Sequence, residues 1–187
     1  MSGFLHLPGG PLRLVNATVP ACAMGRPGDL VRVSLTLEGA RITDAPAPEV
    51  DLKGAMVLPC FIDMHTHLDK GHIWPRSPNP DGTFAGALET VGADRKARWT
   101  AEDVRARMDF SLRCAFAHGT RAIRTHLDAI PPQDAISFPV FREMRAEWAG
   151  RIALQAACLI GAGDFSTDGP FADTADIVAQ SGGVVGM

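Results

Sequence analysis

Short apolar runs recur in the second half of the chain at a fixed interval. "TRAIRTHLD", "RIALQAACLI" and "VVGM" begin near residues 121, 152 and 183, about 31 residues apart. Between them lie segments with helical periodicity. "PVFREMRAEWAG" has Pro139 in its first turn and Val140, Phe141, Met144 and Trp148 on one face, and "FADTADIVAQSGG" follows the next strand. Strand and helix alternating at that period build a parallel sheet, because parallel neighbours need a crossover connection. An earlier strand lies in "AMVLPCFIDMHTHL". A long loop over 70–100 follows it, then a helix in "TAEDVRARMDFSLRCAFAHG" that Thr100 caps, with Asp103 in the capping-box position and Gly119 as its stop. Four strands therefore fit between residue 56 and residue 187. A closed eight-stranded barrel takes about 250 residues. The expected fold class is α/β, the N-terminal half of a (β/α)8 TIM-like barrel over residues 56–187.

Residues 1–55 read differently. "LRLVNATV" and "LVRVSLTLEGARITDA" alternate apolar and polar residues, with a turn at Glu38-Gly39. The Pro-rich "APAPEVDLKGA" then leads into the first barrel strand. This part is expected to be a small β-rich domain without chemistry of its own.

Composition narrows the classes. Net charge is −3, which argues against a nucleic-acid partner. Cys22, Cys60, Cys114 and Cys158 are scattered without a C-x-x-C pair, as in reduced thiols rather than a disulfide frame. Neither a signal peptide nor an apolar run of membrane-spanning length is legible, so a cytoplasmic location and no membrane partner are expected.

The chemistry concentrates in "VLPCFIDMHTHLDKGH", Val57 to His72, where three of the six histidines fall close together. His65 and His67 are two apart, so on a strand both imidazoles leave one face. At the carboxyl end of a barrel strand, where active sites are built, such a pair can bind one divalent metal. "THLD" occurs twice, at 66–69 and 125–128, each time at a strand end. Parallel neighbours place His126 and Asp128 beside the metal strand, where they can orient a ligand or a water. Gln155 is expected as a buried amide within the apolar "IALQAAC", in need of hydrogen-bond partners. His72 and Trp74 fall in the loop after the first strand, "DRKAR" at 94–98 reads as a solvated face, and His6 and His118 lack context. "GAGDFSTDG" is Gly-rich but has no P-loop lysine.

"LPCFIDMHTHLDK" resembles the first metal-binding strand of the amidohydrolase superfamily, and its surroundings resemble the cytosine deaminase branch. The matching pieces are "HLDK", "NPDGTFAGALE" with "DRKARWT", "GTRAIRTHLD" and "RIALQAACLIGAGDF", in that order. Cys60 departs from the glycine usual before "F-I-D". The resemblance implies one divalent zinc or iron ion, held in part by His65 and His67, and a small heterocyclic substrate. Water activated by the metal would attack a ring carbon and expel ammonia or an amine. It also implies that Gln155 contacts the amide edge of the ring, and that the remaining ligands, a histidine and an aspartate, come from the fifth and eighth barrel strands. The chain is therefore expected to be an incomplete fragment of such an enzyme, with little activity alone and an open sheet edge at Val184–Met187 that invites self-association. The alternatives are a non-catalytic remnant or a small metal-binding module, and for the substrate an N-alkylated triazine or another ring amidine.

Overall fold

The computed structural model describes residues 7–161 and 170–186. "GAGDFSTDG" lies almost wholly outside the described residues. The chain divides into two compact units, Met1–Pro59 and Cys60–Met187.

The first unit is one four-stranded sheet. β1 (Leu12–Pro20) pairs antiparallel with β2 (Leu30–Glu38), which turns back through Gly39 into β3 (Arg41–Thr43), and β4 (Glu49–Asp51) joins β1 in parallel. Alternation sends Leu12, Leu14 and Leu35 to the buried face. The β1–β2 register shifts between Leu14 and Ala17, where Asn16 takes a left-handed φ of 56°. Asn16 Nδ2 donates to Asp51 Oδ1 at 2.9 Å, so the irregular residue is tied to β4.

In the second unit β5 (Phe61–Thr66), β6 (Thr120–Asp128), β7 (Ala153–Leu159) and β8 (Val184–Gly186) are adjacent in chain order and all parallel. The crossovers carry α1 (Phe84–Arg98), α2 (Ala101–Ala117), α3 (Asp134–Glu147) and α4 (Pro170–Gln180). Ile123, Leu127, Leu154, Ala156 and Cys158 of the sheet meet Val104, Met108 and Leu112 of α2 and Phe138, Phe141 and Met144 of α3 in one continuous core. The intervening residues of β6 and β7, including Arg124 and Gln155, are on the other, open face. Among the described residues no helix is long and apolar enough to cross a membrane.

Two expectations are corrected here. The stretch 70–100 is not one long loop, since Thr83 caps α1 by accepting from the Gly86 amide at 3.0 Å. Its apolar residues form no strong stripe, which hides the helix from a periodicity reading. α3 also begins at Asp134, five residues before Pro139, so the proline lies inside the helix rather than in its first turn.

Candidate active site

The parallel sheet puts His65, His67, His126 and Asp128 at one place, the carboxyl ends of β5 and β6. The His65 and His67 rings are 5.3 Å apart between centroids and nearly perpendicular. The His126 ring stacks on His65 at 4.1 Å, with 20° between the planes. His67 Nδ1 lies 2.9 Å from the main-chain oxygen of His126. A carbonyl only accepts, so Nδ1 carries the proton and Nε2 keeps its lone pair. Burial, reinforced by the positive charge of Lys70, lowers the pKa of His67. Burial and then His65 lower that of His126. Both effects favour neutral imidazoles, the form that binds metal. The Nδ1 of His126 is buried with no hydrogen-bond partner among the described residues.

Asp128 is placed beside the histidines but is taken up by cations. One oxygen accepts from Lys70 Nζ at 2.6 Å and the other from Arg95 Nη1 at 2.7 Å. Below it Asp69 is wholly buried, and burial together with the nearby Asp128 carboxylate pushes its pKa up to about 7. Asp69 Oδ2 accepts from the Asp128 amide at 2.8 Å, and the Asp69 carbonyl accepts from Arg107.

Gln155 is not the buried amide expected from its neighbours. Strand alternation turns it to the open face between buried Leu154 and Ala156. It is opposite Arg124, two pairs before the His126–Ala157 level. Arg124 donates to its Oε1 from Nε at 3.1 Å and from Nη2 at 2.9 Å, which leaves the carboxamide N–H groups free of that pair. The two side chains, with Ile62, Met64 and Ala153, line an open cavity of about 310 Å³.

Other expectations resolve locally. His72 has a left-handed φ of 62° and packs edge-on against Phe110 at 4.7 Å, while Trp74 is exposed. His118 closes α2 through the Cys114 carbonyl. "DRKAR" is not simply a solvated face, because Asp94 is buried under Arg76, Ser77 and Trp99, and Arg95 holds Asp128. The sequence alone did not single out Asp69, Lys70, Arg95 or Thr125. The repeated "THLD" was the available signal for Asp69 and Thr125, whereas Arg95, 33 positions from Asp128, left none.

Among the described residues no cluster of three or more His, Cys, Asp or Glu side chains is arranged around one metal position. Free Nε2 on His67 and depressed basicity fit a divalent ion that prefers nitrogen ligands.

Parallel βα units with a histidine pair at the carboxyl end of the leading strand have the layout of an amidohydrolase. The family model of the amidohydrolase family matches residues 48–132. The chain is 49% identical over 186 residues to a pterin deaminase of Rhizobium rhizogenes, covering 92% of this chain and 43% of that protein. The solved N-isopropylammelide isopropylaminohydrolase of Burkholderia multivorans superposes with a TM-score of 0.67 at 26% identity, over 91% of this chain and 43% of that one. The 5-methylcytosine deaminase of Klebsiella pneumoniae gives 0.64 at 22% identity, over 90% and 40%. The chain belongs to the amidohydrolase superfamily and corresponds to the N-terminal part of its deaminase-like members. It spans about two fifths of the length of those relatives.

Proposed function

We propose that this chain supplies the metal-binding N-terminal part of a hydrolase that replaces an exocyclic amino group of a pterin-type ring with oxygen, consuming water and releasing ammonia. β5 to β8 are read as the first four strands of a (β/α)8 barrel, with the site at its mouth. The observation that carries the reading is the His65–His67 pair at the end of β5, with His67 Nδ1 held by the His126 carbonyl so that Nε2 is left for a metal. The choice of a pterin over a cytosine or a triazine follows the 49% identity to the pterin deaminase.

His65 and His67 would hold the ion. A divalent zinc or iron ion, when bound, lowers the pKa of water toward neutrality and so supplies a nucleophile at pH 7. The protein's own part is to keep both imidazoles neutral and oriented. His126, stacked on His65, limits the rotation of that ring. Lys70 and Arg95 neutralise Asp128, so the mouth carries no uncompensated carboxylate there. Gln155, its oxygen engaged by Arg124, is left to donate to an acceptor on the ring.

The test uses the chain alone and a chimera in which the C-terminal remainder of the Rhizobium rhizogenes relative follows it. Each is loaded with zinc or iron and assayed for ammonia release from pterin and cytosine, and for isopropylamine release from N-isopropylammelide. Metal retention by both and pterin turnover by the chimera are expected, with little turnover by the chain alone. A folded, metal-loaded chimera inert toward all three rings would refute the proposal. In the same chimera Gln155→Leu should lower kcat/KM roughly ten- to a hundredfold with metal content unchanged, since one hydrogen bond to the ring is lost.

The edge strand β8 pairs only with β7 among the described residues, and its Val184 and Val185 are about half exposed. Unpaired parallel edges of this kind recruit further strands. The chain is expected to self-associate with rising concentration, and Val185→Lys to reduce that in light scattering. A monodisperse monomer at all concentrations contradicts the expectation.

A further inference from the structure

The two "THLD" segments do more than recur. Regular β5–β6 pairing shifts register between Asp63 and Thr66 and ends at Thr66 opposite Thr125. Beyond that point, among the described residues, no ladder bond serves the Leu68 and Asp128 amides, although Leu68, Asp69 and Asp128 are all buried. A buried amide without an acceptor is costly, so something must replace the ladder. Each segment supplies the acceptor for the other. Thr125 Oγ1, from the second segment, accepts from the Leu68 amide of the first at 3.0 Å. Asp69 Oδ2, from the first, accepts from the Asp128 amide of the second at 2.8 Å and from Ser137 Oγ at 3.4 Å. Between these two bonds, which run in opposite directions, lies the contact of His67 Nδ1 with the His126 carbonyl.

We propose that Thr125 and Asp69 are positioning residues that clasp the two strand ends and thereby hold His67 as the Nδ1–H tautomer. The assignment of His67 as a metal ligand is that of the proposed function, on which this inference rests. Thr125 fixes the main chain one residue after His67, and Asp69 fixes it two residues after His126. The imidazole and the carbonyl are thus set at hydrogen-bond distance from both sides. Thr125 is wholly buried and its hydroxyl is spent on the Leu68 amide, so it touches neither a metal nor a substrate. It acts only through His67. This gives Thr125 and Asp69 a reason that their strand-end position alone does not.

The test is made on the 15N-labelled metal-free chain, where long-range proton–nitrogen correlations report which ring nitrogen of His67 carries the proton. Wild type should show the Nδ1–H form. Thr125→Val, close in size but without an acceptor, should mix in the Nε2–H form and weaken zinc binding about tenfold, within the range for lost outer partners of metal histidines. Thr125→Ser should restore both. An Nε2–H tautomer in wild type overturns the inference without any variant. It also falls if folded Thr125→Val keeps tautomer and affinity, or if Thr125→Ser restores neither. The metal reading fails separately: if His65→Ala and His67→Ala bind zinc as wild type does, that reading falls while the tautomer result stands on its own.

Discussion

Arg76→Met should lower the stability of the second unit by about 3 kcal/mol at pH 7, as expected when one partner of a largely buried ion pair is removed. At this chain length that corresponds to roughly 6–12 °C in Tm. The guanidinium donates to both oxygens of Asp94, at 3.0 and 2.8 Å, and to both oxygens of Asp103. Asp94 also accepts from Trp99 Nε1 and Ser77 Oγ, and its side chain is only 1% exposed. Arg107 shares Asp103 and packs over the Trp99 ring at 4.8 Å. One arginine therefore ties the segment after β5 to both α1 and α2. Arg76→Lys should recover only part of the loss, because an ammonium cannot serve two carboxylates with a planar fork.

The same network gives the effect a pH dependence. Burial pushes the Asp94 pKa up, but hydrogen bonds from Arg76, Trp99 and Ser77 outweigh it and hold it below the usual value. Hydrogen bonds from Arg76, opposed by burial and helped by Arg107, do the same for Asp103. A carboxylate whose folded pKa is depressed adds stability above its unfolded pKa, about 4, and loses it as pH falls through the lower folded value. The gap between wild type and Arg76→Met should thus be full at pH 6–7 and narrow below about pH 4. Thermal melts across that range measure it, and equal Tm values at neutral pH would show that the network carries no net stability.

Much of the fold was legible because period and pattern are local properties. Ile123 and Leu127 alternate with Arg124 and His126 along β6, and the buried stripe of α3 follows Val140, Phe141 and Met144 as its spacing requires. α1 was illegible for the converse reason, since its cap at Thr83 precedes a segment with little apolar stripe. Gln155 shows a different limit. Its apolar neighbours announced a strand, but which face the amide takes depends on where α2 and α3 pack. The nearness of His65 and His67 was legible because they are two positions apart, although β5 ends at Thr66 and His67 lies one residue beyond it. The partners that hold it, Thr125 and the His126 carbonyl, come from 57 to 59 positions away and needed the β5–β6 register. The repeated "THLD" hinted at that neighbourhood without showing that the bonds cross from one segment to the other.

His67→Ala should reduce zinc or cobalt affinity by more than about a hundredfold, a larger effect than loss of any outer partner. His67 is the better anchored of the two proposed donors. It is half-buried, its Nδ1 is bound to the His126 carbonyl, and its pKa is lowered by burial and by Lys70, whereas His65 is exposed at the strand end. His65→Ala should lower affinity as well, and the double variant should retain no metal after dialysis. The controls are histidines whose rings serve the fold. His72→Ala loses an edge contact with Phe110, and His118→Ala loses a link to the Cys114 carbonyl at the end of α2. Both should bind metal as wild type does. Cobalt absorption titrations give the affinities, and metal content after dialysis gives the stoichiometry. Circular dichroism establishes that each variant is folded. Equal cobalt affinity in folded His67→Ala and wild type would remove the metal site from this strand end, and with it the proposed hydrolysis.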